Sequence, residues 1–346
     1  GTAFQNNLQG TIQGGNEYTN FLLSAGMINE STVFPGDYKN QKLSSRAVIN
    51  HSSINQKFKA SANISYVVDK NNFPGVDLNY YAVSLAPNAP SLYQEDGKLN
   101  WENNTFENPM ANLEQRYLSK YDNLTLNLTL SQELWKDLVL SSRFGVNKGW
   151  MDESRIQPHT MINPAYGYGP EASSIGLSET KRESWIIEPQ LNYKKELHSD
   201  LVFDALIGLT FQENIQNFLE QNARGFTSNS LLYDIKSASR LSVLASSAAE
   251  YRYSAAFARM NLGWKRKLFM NLTGRRDGSS RFGPGKQFAN FGAIGAAYIF
   301  SDEKVIRDNL SFLSFGKLRA SYGLTGSDNI GDYKFMDTYG SSAVSY

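Results

Sequence analysis

The chain has 346 residues, 41% of them hydrophobic, 19% charged and 13% aromatic, with a formal net charge of +1; the length allows one large domain or two ordinary ones, and the hydrophobic share excludes a disordered chain. A charge so near zero offers no basic face for nucleic acid and no reason to expect an acidic ligand. The absence of cysteine excludes disulfides, thiolate chemistry and Cys-ligated zinc, and His51, His159 and His198 are a thin imidazole supply for an enzyme of this size.

In chain order the dominant signal has period two. From Lys57 to Tyr66, the residues Phe58, Ala60, Ala62, Ile64 and Tyr66 share one face, and Lys57, Lys59, Ser61, Asn63 and Ser65 the other. Leu124, Leu126, Leu128 and Leu130 then alternate with Asn and Thr, and Leu138, Leu140, Phe144, Val146 and Trp150 follow, broken by Ser142 and Lys148. Leu201, Phe203, Ala205, Ile207, Leu209 and Phe211 repeat the pattern. A helix would scatter these side chains around its surface, so strands are expected. Twelve are expected, near 5–14, 18–28, 41–52, 56–68, 122–134, 138–150, 183–195, 201–213, 252–265, 267–276, 288–300 and 316–324. A short helix from Asp302 to Asn309, N-capped by Ser301, is expected before the last strand.

The links alternate in length. Short ones fall near 14–18, 51–56, 133–137, 195–200 and 264–268, and long ones near 29–40, 69–121, 151–182 and 213–251. No apolar run approaches the ~20 residues of a membrane-spanning helix, but a barrel evades that test because only alternate strand residues face lipid. The pattern fits an antiparallel up-and-down transmembrane β-barrel, in which the apolar face meets lipid and the polar face lines the lumen. In a soluble β-sandwich the apolar face would instead be the core. Two features favour the barrel: the polar face is mostly uncharged, and bulky aromatics sit at strand ends. These are Tyr66, Tyr121, Trp135, Trp150, Trp185, Tyr193, Tyr251, Tyr253 and Trp264. The chain begins Gly1-Thr2-Ala3 without a signal peptide, which reads as a mature, processed or internal segment.

Several apparent motifs fail on context. Gly167-x-Gly169-x-x-Ala172 matches a dinucleotide fingerprint by letter but contains Pro170, follows no strand and opens no helix. Gly283-Pro284-Gly285-Lys286 lacks the upstream glycine spacing of a P-loop and the Ser/Thr after its lysine. Asp69, Asn71 and Asp77 hint at a calcium loop, yet Phe73 takes a ligand position and no Glu closes it. The three histidines fit no metal or triad spacing and read as solvated or turn residues. Arg275, Arg276, Asp277 and Arg281 could hold an anion, but at a strand-to-loop junction they read as a structural ion-pair network. Asn-x-Ser/Thr sequons, as at Asn123 and Asn127, read as lumen-facing polar positions. No catalytic, metal or cofactor site is expected.

The last third carries a longer, ordered set of motifs. Arg275-Arg276-Asp277-Gly278-Ser279-Ser280-Arg281-Phe282-Gly283 precedes the strand at Phe291–Phe300; Ser301-Asp302-Glu303, Lys317-Leu318-Arg319-Ala320-Ser321-Tyr322-Gly323 and Thr325-Gly326-Ser327-Asp328-Asn329-Ile330-Gly331 follow. This order resembles the SusC/RagA family of TonB-linked outer-membrane proteins, with Ser327 standing where the family usually has Asn. Gly14-Gly15 and the strand ending Ala25-Gly26-Met27-Ile28 resemble the first hairpin of those barrels.

The resemblance implies that residues 1–346 are an arc of a 22-stranded barrel, with a plug, a Ton box and the C-terminal barrel strands outside them. It implies an outer-membrane location and active import of large nutrients, oligosaccharides or peptides, beneath a SusD-like surface lipoprotein lid. Energy would come from TonB through a Ton box outside this segment. It implies outer-membrane lipid as the surroundings and no enzymatic activity. In the long loops, Tyr80, Tyr81, Tyr93, Trp101, Tyr166 and Tyr168 lie among amides and carboxylates. Aromatic faces beside such groups suit sugar rings; they also suit packing of loop on loop or on a lid. The competing expectation is a surface barrel that binds or adheres without transport. An enzyme on a barrel is the weakest reading, given so few histidines.

Overall fold

The computed structural model describes residues 1–310 and 312–337. The alternating segments all form strands: β1 (Gln5–Gly15), β2 (Thr19–Ser31), β3 (Lys39–Ser52), β4 (Phe58–Pro74), β5 (Arg116–Trp135), β6 (Leu138–Gln157), β7 (Ser174–His198), β8 (Leu201–Arg224), β9 (Arg240–Trp264), β10 (Leu268–Ser279), β11 (Phe288–Ile299) and β12 (Lys317–Leu324). They make one sheet in strict chain order, every neighbouring pair antiparallel. This is the expected meander. Among the described residues β1 pairs only with β2 and β12 only with β11, so the sheet is an open arc. Among the described residues no helix is long and apolar enough to cross a membrane; the helices α1 (Asn79–Ser84) and α2 (Lys304–Asn309) have six residues each.

The register sorts side chains by face. One hydrogen-bonded row runs Thr11, Ser24, Arg46, Ser65, Thr125, Asn147, Ser184, Asn214, Tyr251 across nine strands, and every member is polar. The adjacent row, on the other face, runs Ile12, Leu23, Ala47, Ile64, Leu126, Val146, Trp185, Glu213, Arg252. It begins apolar, passes an indole and ends charged. A row perpendicular to tilted strands climbs through the bilayer, and barrel strands tilt by ~35–45°, so this order is that of a row rising from hydrocarbon through the interface into water. Ile12 is 68% exposed, Leu23 47% and Ile64 41%. A sandwich would bury that row, and the structure leaves it open.

Six of the strand-end aromatics stand on this apolar face: Tyr66, Trp135, Trp150, Trp185, Tyr193 and Trp264. At the outer rim Tyr66 donates to Asp122 at 2.8 Å and the Trp185 indole donates to Glu213 at 2.9 Å, ring in the apolar band and polar end towards water. Tyr121, Tyr251 and Tyr253 correct the expectation: the register turns all three to the polar face.

The strand ends at the short turns fall within three residues of expectation, but the opposite ends of β4 to β9 run six or more residues beyond it. β7, β8 and β9 have 25, 24 and 25 residues, where a bilayer needs about 9–11. Their outer halves, including 174–182, 213–224 and 240–251, were expected as loop. Apart from their tips, where Ile175 and Ala223 are buried under the loops, both faces of those halves are open to water, so alternation fades while the backbone ladder continues. At Ser301 the expected N-cap fails. Ser301 sits buried in a 3-10 turn, Phe300–Asp302, while Glu303 precedes α2 without a side-chain capping bond. Glu303 instead accepts from Lys267 Nζ at 3.1 Å, tying α2 to the neighbouring turn.

Candidate functional site: polar face and outer loops

The polar face is knitted by neutral side chains. Thr11 lies 3.2 Å from Ser24, Asn50 donates to Asn20 at 3.0 Å, Ser61 to Asn50 at 2.7 Å and Asn147 to Thr125 at 2.8 Å. Arg46 donates to Asn63 at 3.2 Å. Such a wall offers amides and hydroxyls to a passing solute and little net charge. Asp69 and Asn71 belong to this face of β4 rather than to a loop. The amide of Asn40 donates to both carbonyl-side oxygens, and Asp77 accepts from the Asn79 N–H, so a calcium loop is absent there. Among the described residues no group of three or more His, Cys, Asp or Glu could hold a metal. His51 lies 2.7 Å from Thr19 Oγ1 on β3, His159 starts a 3-10 turn and His198 sits at the β7–β8 turn.

Charge and aromaticity gather where β7–β11 meet residues 325–332. A cavity of about 600 Å3 opens on the polar face, lined among others by Glu188, Tyr251, Tyr253, Arg275, Asp277 and Asp328. The Tyr251 and Tyr253 rings stack at 6.4 Å and 20°, and Arg275 bonds both Asp277 and the Tyr253 hydroxyl. Asp328 accepts from Tyr251 at 2.6 Å and Ser279 at 2.8 Å. Arg281 reaches Asp332 at 2.8 Å and the Asp328 carbonyl at 3.1 Å, with its guanidinium 4.4 Å from the Tyr251 ring. The two sequence motifs thus form one latch. The expected ion-pair network holds for Arg275, Asp277 and Arg281. It fails for Arg276, one residue along β10, whose side chain lies on the opposite face beside Asn290.

Burial pushes the Asp328 carboxyl up, but the hydrogen bonds from Tyr251 and Ser279 and the Arg281 charge outweigh it and hold it below the usual carboxylate range. A depressed folded pKa contributes stability above the unfolded pKa and loses it as pH falls through the folded one. The latch is therefore expected to stay closed from pH 7 down to about pH 4 and to open below that. Hydrogen exchange across 325–332, corrected for intrinsic rates, checks this; an Asp328→Asn variant should lose the acid step, and an unchanged step would assign it to another group.

The outer loops pack on one another. Asn163 donates to Asn104 at 2.8 Å, Tyr166 to Glu107 at 2.6 Å and Thr160 to Glu114 at 3.2 Å, joining residues 158–173 to 75–115. Asn229, from residues 225–239, accepts from Ser173 at 2.7 Å and lies 2.9 Å from His159 Nδ1. Beneath them Ile156, Ile175, Ala223, Phe226 and Leu232 form a buried apolar cluster.

Tyr80, 69% exposed, and half-buried Tyr81 share α1, edge to face at 5.5 Å. Tyr93 is exposed where it bridges Leu99, and Trp101 is half-buried, its carbonyl starting the next 3-10 turn. Tyr166 and Tyr168 are exposed in the second loop. The bond to Glu107 raises the Tyr166 phenol above its usual value. The structure thus brings Tyr166 to the loop that carries Tyr80, Tyr81, Tyr93 and Trp101. Exposed Tyr233 on the third loop and the lumen pair Tyr251 and Tyr253 were not among the expected site residues.

No protein-family model matches the chain. Curated proteins do: TonB-dependent receptor P26 of Formosa agariphila is 25% identical over 287 residues, 79% of this chain and 28% of that protein. TonB-dependent receptor P39 of the same organism is 24% identical over 340 residues, 97% of this chain and 32% of that protein. TonB-dependent receptor SusC of Bacteroides thetaiotaomicron is 31% identical over 103 residues, 25% of this chain and 10% of that protein. The chain spans about a third of the length of the curated relatives it matches most fully. Among solved structures, the RagAB peptide transporter superposes with a TM-score of 0.72 at 21% identity, over 94% of this chain and 38% of that one. The chain is SusC/RagA-like in sequence, its all-β up-and-down fold is that of the TonB-dependent barrels, and its place is the outer membrane.

Proposed function

We propose that residues 1–346 are a wall segment of a TonB-dependent importer that carries large nutrients, oligosaccharides or peptides, across the outer membrane. The observation that carries this reading is the pairing of two adjacent rows: Thr11 to Tyr251 polar throughout, and Ile12 to Val146 apolar and open. A sheet so divided separates lipid from an aqueous path. The plug, the Ton box and the remaining barrel strands lie outside these residues in this reading. The edges of β1 and β12 that are free among the described residues agree with it, since unpaired backbone in hydrocarbon is costly. The packed outer loops offer Tyr80, Tyr81, Tyr93, Trp101, Tyr166 and Tyr168 to the ligand beneath a SusD-like lipoprotein. The amide and hydroxyl wall suits neutral polar chains of either class.

The test uses the full-length protein in its own cells and purified with its partner lipoprotein. Uptake of labelled oligosaccharide and peptide mixtures should cease without TonB. Replacing Tyr80 and Tyr168 together by Ala should weaken capture of the imported class by roughly tenfold. Capture without uptake in energised cells would instead make this a binding or adhesion barrel. Uptake indifferent to TonB would end the importer reading.

A further inference from the structure

The apolar face has a dent with a cation above it. On that face the row Leu191, Ile207, Ala258, Gly274, Gly292 crosses β7 to β11. Small residues on β9–β11 lower the surface there, while Met260, Leu272 and Ile294 form the row beneath. Glu188 and Pro189 also drop out of the β7–β8 register at this level, because proline cannot donate to the ladder. The result is a mostly apolar groove of about 740 Å3; Gln190 and Arg275 also border it, but their β-register turns their side chains to the polar face, and Arg276 and Asn290 line its upper end from the apolar face.

Arg252, Arg275 and Arg281 each have a carboxylate partner. Among the described residues Arg276 has none. It donates to Asn290 at 3.1 Å, and its guanidinium lies 5.2 Å from the Phe288 ring. Arg276 stands eight residues beyond Leu268 on β10. That is roughly 26 Å along the strand, or about 20 Å towards the outer side at a ~40° tilt. The apolar band of such a barrel is ~25 Å tall, so the backbone of Arg276 lies about 5 Å below its outer edge, a gap that an arginine side chain spans to bring its guanidinium to the headgroups. Arginine there favours a phosphate, which it can engage with two parallel hydrogen bonds.

We propose that this groove binds one anionic lipid of the outer leaflet, its phosphate on Arg276 and Asn290 and an acyl chain over Ala256, Ala258 and Gly274. The site lies on the outside of the wall and is separate from the ligand path. It rests on the apolar face being the lipid face, so the two can fail separately: a full-length protein that is soluble without detergent would refute the membrane placement itself.

Gly274 supplies a clean variant, because a Cβ built there meets nothing within 4 Å. Leu at 274 projects into the groove from an open Cβ position, and Gln at 276 removes the charge. The full-length protein is placed in nanodiscs of phosphatidylcholine with a minority of phosphatidylglycerol, and retained lipids are counted by native mass spectrometry. Wild-type protein should hold one phosphatidylglycerol, enriched roughly tenfold over its share of the bilayer, as a charge-assisted hydrogen-bond pair gives. Arg276→Gln should abolish the enrichment, and Gly274→Leu should abolish retention, both with unchanged heat resistance. Equal retention in all three proteins would overturn the proposal. So would Gly274→Leu dissociating a dimer with no change in lipid count, since the groove would then seat a second copy.

Discussion

Leu126→Arg is expected to destabilise the folded full-length barrel in lipid by about 2–4 kcal/mol, and Asn127→Arg, its immediate neighbour, by much less. Leu126 lies in the apolar row between Ile64 and Val146, flanked along β5 by Leu124 and Leu128. An arginine there sits in hydrocarbon near mid-bilayer, too far from either surface to bring its charge to water. Asn127 pairs with Asn63 and Gly145 on the polar face, where a guanidinium stays hydrated beside amides. A denaturant titration in lipid vesicles measures both. Equal losses would overturn the assignment of faces, and with it the ligand path and the lipid groove.

Phe226→Ala should cost the outer cap about 3–5 kcal/mol while leaving the membrane-embedded strands intact. A barrel wall has water or lipid on each face, so its strands bury little apolar surface of their own. The buried apolar cluster lies beyond the membrane, where Phe226, 1% exposed, fills the space between Ile156, Ile175 and Leu232. Removing the ring leaves a cavity where residues 225–239 pack on the outer ends of β6, β7 and β8. Limited proteolysis of the full-length protein should then cut within 225–239 in the variant and spare the wild type, with heat resistance unchanged. Capture of ligand should fall too, since Tyr166 and Tyr168 sit on a loop held by Asn229. Resistance equal to wild type would show that hydrogen bonds, not this ring, hold the cap.

The sequence by itself determined the strands within the bilayer, their order, and the side on which the turns are short. The cause is the bilayer: one face in lipid and one in water imprints period two on Phe58–Tyr66 or Leu124–Leu130, and the short turns end it abruptly. The ordered motifs from Arg275 to Gly331 determined the kind of barrel. Only the tertiary structure decided what happens where both faces are wet. Period two fades there, so the outer halves of β7, β8 and β9 had no signal apart from their backbone pairing. The faces of Tyr121, Tyr251 and Tyr253 depended on register against partner strands; a local window shows aromatic residues near strand ends but not which way they turn. The bulge at Glu133/Trp135 changes parity too, turning odd-numbered Trp135 to the apolar face. Neighbouring Arg275 and Arg276 look alike in the sequence, yet the pleat sends one to the latch on the polar face and the other to the lipid groove. The cap was illegible for the same reason: Ile156 and Ile175 end β6 and β7 and Phe226 lies in the loop after β8, and only the fold brings them together.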